Sequence, residues 1–244
     1  MIPDLFTIGP FTLHSFGLML ALGFVAAGYF LSRAMVHEGF DGSQAWEILI
    51  GAAVGGVVGA KVDYVIQNGS DGGFFGGSGL VWYGGLIGGA IGVIAVAAWR
   101  KIPIGRLANM SAPGLAIGYA IGRIGCQLSG DGDYGRATSL PWGMSYPDGE
   151  VPTTEIVHPT PVYETAAMLV VFFVLWRLRD RLNRPWQLFG LWAILAGAER
   201  FLVEFVRRNA DVALGLTPAQ LWSVGMMVVG AVLMVARTET ARAR

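Results

Sequence analysis

The stretch Gly122-Arg123-Ile124-Gly125-Cys126-Gln127-Leu128-Ser129-Gly130-Asp131 places a permanent positive charge at the end of a long apolar, glycine-rich run, with a carboxylate eight residues later. An arginine at the edge of a hydrocarbon layer is costly unless an anion meets it. The abundant anion at that depth of a membrane is a lipid phosphate. A guanidinium fork can hold a phosphate through two parallel hydrogen bonds, which a lysine cannot do. The competing reading of Arg123 is a structural ion pair.

Other ionisable residues fall inside apolar runs: Lys61, Asp63, Glu164, Glu199, Arg200 and Glu204. Such residues are functional candidates by default. Arg200 and Glu204 stand at i, i+4 and can pair across one helix face. With Arg207 and Arg208 they leave one end of their segment unusually charged. Any single pair could merely pin two helices together, but the gathering of charges is a stronger signal than any one of them.

Weaker candidates surround this group. His14 opens the first apolar run and reads first as an interfacial anchor. His158, in His158-Pro159-Thr160-Pro161-Val162-Tyr163-Glu164, is balanced between a loop hydrogen bond and proton transfer. Tyr83 could donate to an oxyanion but reads first as a belt aromatic. The adjacent Gly84 and Gly85 permit close backbone approach, expected to be to the fourth span or to a lipid head group. Cys126 lies near a cationic group, as a nucleophile would, yet a lone cysteine more often packs as a small hydrophobe.

These residues need apolar elements to hold them. Of 244 residues, 54% are hydrophobic and 14% charged, against about 25% charged in soluble domains. Mean hydropathy is +0.54. Seven apolar segments, roughly 14–35, 46–66, 80–99, 107–126, 162–178, 187–206 and 217–236, each approach the length of a membrane-crossing helix. The fold class is therefore an all-α polytopic membrane protein with seven transmembrane helices, in one domain over 1–244. A barrel is disfavoured by the length of the runs. Counting Lys and Arg between segments gives 11 on one side, including Arg237, Arg242 and Arg244, and 3 on the other. The positive-inside rule then places the N-terminus outside and the C-terminus in the cytoplasm.

The long connection at about 127–161 faces outward on this topology and carries Asp131, Asp133, Asp148, Glu150 and Glu155. Connections of this length are often functional. The connection with Asn68-Gly69-Ser70-Asp71-Gly72-Gly73 reads as a glycine turn. Met1–Leu13 lacks Lys and Arg, so a retained first span is expected rather than a cleaved signal peptide. The net charge of zero gives no case for nucleic acid, one cysteine excludes an internal disulfide, and no glycine run matches a nucleotide loop.

In order along the chain, the motifs resemble those of the bacterial prolipoprotein diacylglyceryl transferases. They are Ile8-Gly9-Pro10, His14-Ser15-Phe16-Gly17-Leu18, Gly84-Gly85-Leu86-Ile87-Gly88, Gly122-Arg123-Ile124-Gly125 with Gly130-Asp131 and Gly135-Arg136, His158-Pro159 with Tyr163-Glu164, and Arg200 with Val203-Glu204-Phe205 and Arg207. The resemblance implies a multi-pass enzyme of the bacterial inner (cytoplasmic) membrane. Such an enzyme moves the diacylglyceryl group of phosphatidylglycerol to the lipobox cysteine thiol of exported prolipoproteins, forming a thioether and releasing glycerol 1-phosphate. It implies no metal and no cofactor.

Under the resemblance, Arg123 and Arg200 grip the lipid phosphate, and Asp131 and Tyr83 handle the proton. His14, Gly84, Gly85, Gly122, Gly125, Cys126, His158, Glu204 and Arg207 line or support the substrate site. Asp131 stands where the family usually has glutamate. The chain departs from the family at Phe16 (usually tyrosine), Tyr83 (histidine), Cys126 (asparagine), Gln127 (phenylalanine) and Ser129 (asparagine), and Asp131–Gly135 is one residue longer. Phosphate holding is thereby the firmer inference and acceptor activation the looser one. A transferase of the same fold with another acceptor, or a non-catalytic phospholipid-binding protein, are the rival readings.

Overall fold

The structure is a computed structural model and describes residues 1–9, 11–68, 81–210, 212–213 and 215–236. Pro10, the glycine turn at 69–73, and Arg237, Arg242 and Arg244 lie outside the described residues. The described elements run β1 (Asp4–Ile8), β2 (Phe11–His14), α1 (Ser15–His37), α2 (Gln44–Asn68), α3 (Trp82–Trp99), α4 (Ile104–Ser129), β3 (Met144–Tyr146), β4 (Thr153–Val157), α5 (Thr160–Leu178), α6 (Gln187–Glu204) and α7 (Pro218–Val235).

All seven apolar segments are helices, with ends within a few residues of those expected. Four of them, α1, α2, α5 and α7, are long and apolar enough to cross a membrane by length and composition. The helices α4 and α6 carry the charges that interest us: Arg106 and Arg123 on one, Glu199, Arg200 and Glu204 on the other. Two antiparallel hairpins, β1–β2 and β3–β4, supplement the helices.

Backbone packing divides the chain into two compact units, Met1–Phe30 with Ala108–Arg244, and Leu31–Leu107. In the second unit, α2 and α3 pack through glycine. A Cβ on Gly59 would stand 2.8 Å from the Cα of Gly88, too close for a real side chain. Small residues let helix backbones approach this closely, which is how apolar helices associate in lipid. The glycines of the third segment, Gly84 and Gly88, thus meet α2 rather than the fourth span, because Gly55 and Gly59 supply the matching notches. Asp63 closes the end of this pair by accepting the Gly84 N–H at 3.0 Å, one of the donors a helix N-terminus leaves unused.

The first unit has its apolar core on α4, α5 and α6, where Ala112, Ala116 and Ala120 meet Met168, Val171, Phe172, Leu175 and Leu188. Asn109 donates to the Arg184 carbonyl and accepts from the Leu188 and Phe189 N–H groups, so a polar side chain on α4 satisfies the start of α6. Thr217 and Gln220 form a capping box at the start of α7. The connection from α4 to α5 folds on its own small core of Tyr134, Tyr146 and Val157, with Met1 packed against it.

Candidate functional site

At the end of the first unit, three guanidinium groups and three carboxylates interlock. Helix α4 supplies Arg123, α5 supplies Glu164, and α6 supplies Arg200 and Glu204. The α4–α5 connection adds Asp133, and the turn after α6 adds Arg207. Arg123 donates from Nη1 to Asp133 and pairs through Nε with Glu164. Arg207 reaches the other oxygen of each acid, Asp133 Oδ1 at 2.5 Å and Glu164 Oε1 at 3.2 Å. Asp133 and Glu164 therefore each bridge the same two arginines. Glu204 extends the network, 2.5 Å from Arg200 Nη1 and 3.8 Å from Arg207 Nε. Tyr119 donates to Glu164 at 3.1 Å and lies under the Arg123 guanidinium, 5.0 Å from its ring centre.

Local sequence explains why these groups meet. Pro159 and Pro161 set the entry to α5, and Thr160 at its start donates to the Asp133 carbonyl. Arg207 also donates to that carbonyl, at 3.1 Å. The two connections are stitched by backbone: Arg136 N–H to Val206, Arg136 Nε to the Arg207 carbonyl at 2.8 Å, and Arg208 Nε to Gly135 at 2.9 Å. Gly135 has to be glycine here, since a Cβ would come within 2.9 Å of the His158 Cβ and would also strike the Val206 carbonyl. Glu204 is fixed from outside the arginines by Asn209 at 2.6 Å and by the capping Thr217 at 2.7 Å.

Burial is graded across the site. The Glu164 and Glu204 side chains are fully buried, Arg207 and Arg123 are 10% and 17% exposed, and Asp133 is 32% exposed. The network is therefore sealed on the α5–α6 side and reachable at Asp133. Burial pushes the Asp133 carboxyl up, but Arg207 and then Arg123 outweigh it and hold the group below its ordinary value. Burial likewise works against the Arg207 charge, and Asp133 more than restores it. Removing one member of such a set leaves an uncompensated buried charge, which is strongly destabilising.

Arg200 differs from its neighbours. Its Nη1 is buried and close to Glu204, yet the two are not aligned for a hydrogen bond. Arg123 and Arg207, by contrast, spend theirs on carboxylates. The structure does not show the expected direct convergence of Arg123 and Arg200 on one shared anion. Each has its own acidic partners, and Arg207 links the two halves through Glu204, Glu164 and Asp133.

The remaining candidates distribute as follows. Asp131 does not meet the arginines; its Oδ1 accepts the Asp133 N–H at 3.2 Å, and Asp133, just past Gly130 and Gly132, both at positive φ, is the acid that reaches them. Cys126 is buried, with Sγ 3.8 Å from Arg123 Nη1. Cys126, Asp131 and Asp133 bring ligand-type atoms within 4.8 Å of one another, but Asp133 is committed to two arginines, so no metal role is assigned. Gly125 packs against Met19 and Phe16 of α1, whereas a Cβ on Gly122 would meet open space. His158 Nδ1 lies 3.2 Å from the Tyr163 hydroxyl, which accepts from Trp142 Nε1 at 2.8 Å. His14 pairs with Asp4 at 2.7 Å on the exposed N-terminal hairpin. Gln127 accepts the Tyr146 hydroxyl at 2.9 Å, and burial pushes that phenol up to about 12. Tyr83, Gly84 and Gly85 belong to the second unit, with Tyr83 half-exposed and Gly85 in ordinary contact with Ala60. Lys61 and Asp63 lie there too, so of the charges expected to cluster, the first unit gathers Arg123, Glu164, Glu199, Arg200 and Glu204.

Residues 3–236 match a family model described as prolipoprotein diacylglyceryl transferase. A Chromohalobacter salexigens protein is 35% identical over 96% of this chain and 91% of its own length. A Clostridium tetani protein is 30% identical over 94% and 95%, and one from Aeromonas hydrophila 32% over 95% and 88%. All three carry the name phosphatidylglycerol–prolipoprotein diacylglyceryl transferase.

Proposed function

The chain belongs to the prolipoprotein diacylglyceryl transferase family, and from that premise we propose that it transfers the diacylglyceryl group of phosphatidylglycerol to the lipobox cysteine of exported prolipoproteins. The observation that carries this reading is the convergence of Arg123, Arg200 and Arg207 at one end of a helical unit. Fixed positive charge in a water-poor site is suited to a phosphate whose charge grows as the bond to glycerol breaks.

Arg200, with a buried donor not spent on an aligned hydrogen bond, is the first contact of that phosphate. Asp133 is the carboxylate best placed to yield Arg123 and Arg207 to it, being the most exposed acid of the network. Glu164 and Glu204 stay in place and hold the three guanidinium groups in position. Gly122 leaves room beside α4 for the lipid, and His158 with Tyr163 supports the mouth of the site. Asp131 and Cys126 line the same turn. Gly125 is assigned to shaping the substrate's path along α4, and His14 to the membrane interface.

The seven helices, of 18 to 26 residues, are long enough to cross a bilayer core at 1.5 Å per residue. With the arginine and lysine bias, this supports seven spans in the bacterial inner membrane, N-terminus outside and C-terminus in the cytoplasm. The test is reconstitution of the purified protein in phosphatidylglycerol vesicles with a lipobox peptide. The expected result is a peptide mass increased by one diacylglyceryl thioether, with release of glycerol phosphate. Head-group release without peptide modification would point to another acceptor, and the absence of both events would overturn the proposal.

A further inference from the structure

The two helices that bring Glu164, Arg200 and Glu204 to the arginine network carry a second group of arginines at their far ends. Glu164 stands near the start of α5, and Arg200 and Glu204 near the end of α6. The opposite ends are joined by the turn at 176–186, which holds Arg177, Arg179, Arg181 and Arg184 against one acid, Asp180. Helix α5 is 19 residues long, so its ends stand about 28 Å apart at ~1.5 Å per residue. That is close to the hydrocarbon thickness of a bilayer, about 30 Å, with a layer of lipid phosphates at each edge.

The turn is built, not merely charged. The Arg179 guanidinium lies over the Trp176 ring, 3.8 Å from its centre. Trp176 is itself locked, edge-on to Phe30 of α1 at 5.2 Å and stacked with Phe172 at 6.1 Å. Nothing among the described residues accepts a hydrogen bond from Arg179: its Nε is buried without an acceptor, and Asp180 Oδ1 at 3.7 Å is out of range. The side chain is 26% exposed, so it remains within reach from outside. Arg177, Arg181 and Arg184 are exposed, and their side chains hold no ion pair or hydrogen bond among the described residues. Trp186, at the start of α6, has a φ of 70°, a left-handed conformation that a bulky residue seldom adopts. Asn109 fixes the turn around it, donating to the Arg184 carbonyl at 2.6 Å and accepting the Leu188 and Phe189 N–H groups. Strain of this kind persists where the surrounding structure over-determines it, often at a ligand clamp.

We propose that the α5–α6 turn is a binding site for an anionic phospholipid of the leaflet opposite the arginine network, a lipid that is held and not consumed. Arg179, prepositioned on Trp176, takes the phosphate, and Arg177, Arg181 and Arg184 surround it with positive charge. A guanidinium fork matches two phosphate oxygens, and basic clusters beside a span draw anionic head groups. Trp176 and Trp186 bracket the arginines as aromatics do at the head-group level. The last turns of α5 before the arginines expose Val170, Phe173 and Val174. A phospholipid covers this apolar surface with its acyl chains while its phosphate meets the arginines, whereas a free phosphate leaves the surface bare. The site goes beyond the transfer reading and rests on α5 and α6 crossing the bilayer.

The test uses the full chain in an uncharged detergent, titrated with phosphatidylglycerol, with retained lipid counted by native mass spectrometry. The unaltered protein should retain a phosphatidylglycerol molecule that Arg200→Gln, at the other end of α6, does not remove. The triple variant R177Q/R181Q/R184Q should weaken its binding about tenfold or more. Arg179→Lys, which keeps the charge and loses the stacked fork, should weaken it about threefold or more. Both variants should transfer diacylglyceryl to a lipobox peptide at the normal rate in the same detergent, since neither touches the network. No such retained lipid, or equal retention by the triple variant, overturns the site. Phosphatidylcholine held as tightly overturns its charge selectivity, and displacement by inorganic phosphate at a similar concentration marks a soluble-anion site instead. If Arg179→Lys does not fold, the triple variant decides, because its three side chains hold no bond within the described protein. Retention needs no turnover, so absence of transfer by the unaltered protein overturns the transfer reading alone.

Discussion

Replacing Arg123 with lysine isolates what its shape contributes. The substitution keeps the charge but replaces two separate donors, Nη1 toward Asp133 and Nε toward Glu164, with one ammonium. A single point charge cannot take both positions, because the two acids approach from the α4–α5 connection and from α5. One charge-assisted hydrogen bond is then lost, a cost of about 1.5–3 kcal/mol. If that geometry positions the phosphate in the transition state, the loss corresponds to a fall of about 10- to 150-fold in kcat/KM at 1.36 kcal/mol per decade. The stacking of Arg123 over Tyr119 weakens as well, since lysine offers no planar face. The assay is diacylglyceryl transfer from labelled phosphatidylglycerol to a lipobox peptide, with thermal unfolding run in parallel to separate loss of fold from loss of chemistry. A lysine variant with more than about half of the normal kcat/KM, which is under 0.5 kcal/mol, refutes the claim that the guanidinium fork matters.

Asp133→Asn should lower thermal stability most near neutral pH. The folded-state value of Asp133 lies below the unfolded one of about 3.9, so its contribution is full above that value and is lost as pH falls through the lowered one. Thermal unfolding of the two proteins should therefore converge toward acid, and a constant gap at all pH would contradict the ion-pair account. Two glycines of the signature should separate by stability. Gly122→Ala fills open space in a helix interior and should gain about 0.5–1 kcal/mol, while any loss of activity marks substrate passing there. Gly135→Ala forces the two connections apart and should lose about 1–3 kcal/mol together with activity, read by unfolding and transfer assays.

The seven helices were legible from the chain because each depends on a local property: a run of about 20 apolar residues satisfies its own backbone only as a helix. That Arg123, Arg200 and Glu204 would need partners was legible for a similar reason, since charge inside an apolar run is costly wherever the run ends up. Pairing across an i, i+4 step, as in Arg200 with Glu204, is also local and was foreseen. What the chain could not reveal is which acids from distant segments answer the arginines. Asp133 rather than Asp131 answers the arginines because the connection turns at Gly130 and Gly132, both at positive φ, and that turn is set in three dimensions. Glu164 became the buried bridge because the entry to α5 is tied to that same connection. Apolar length and the presence of charge are properties of sequence. Charge balance belongs to the assembled unit, because Coulomb energy depends on separations that folding alone sets.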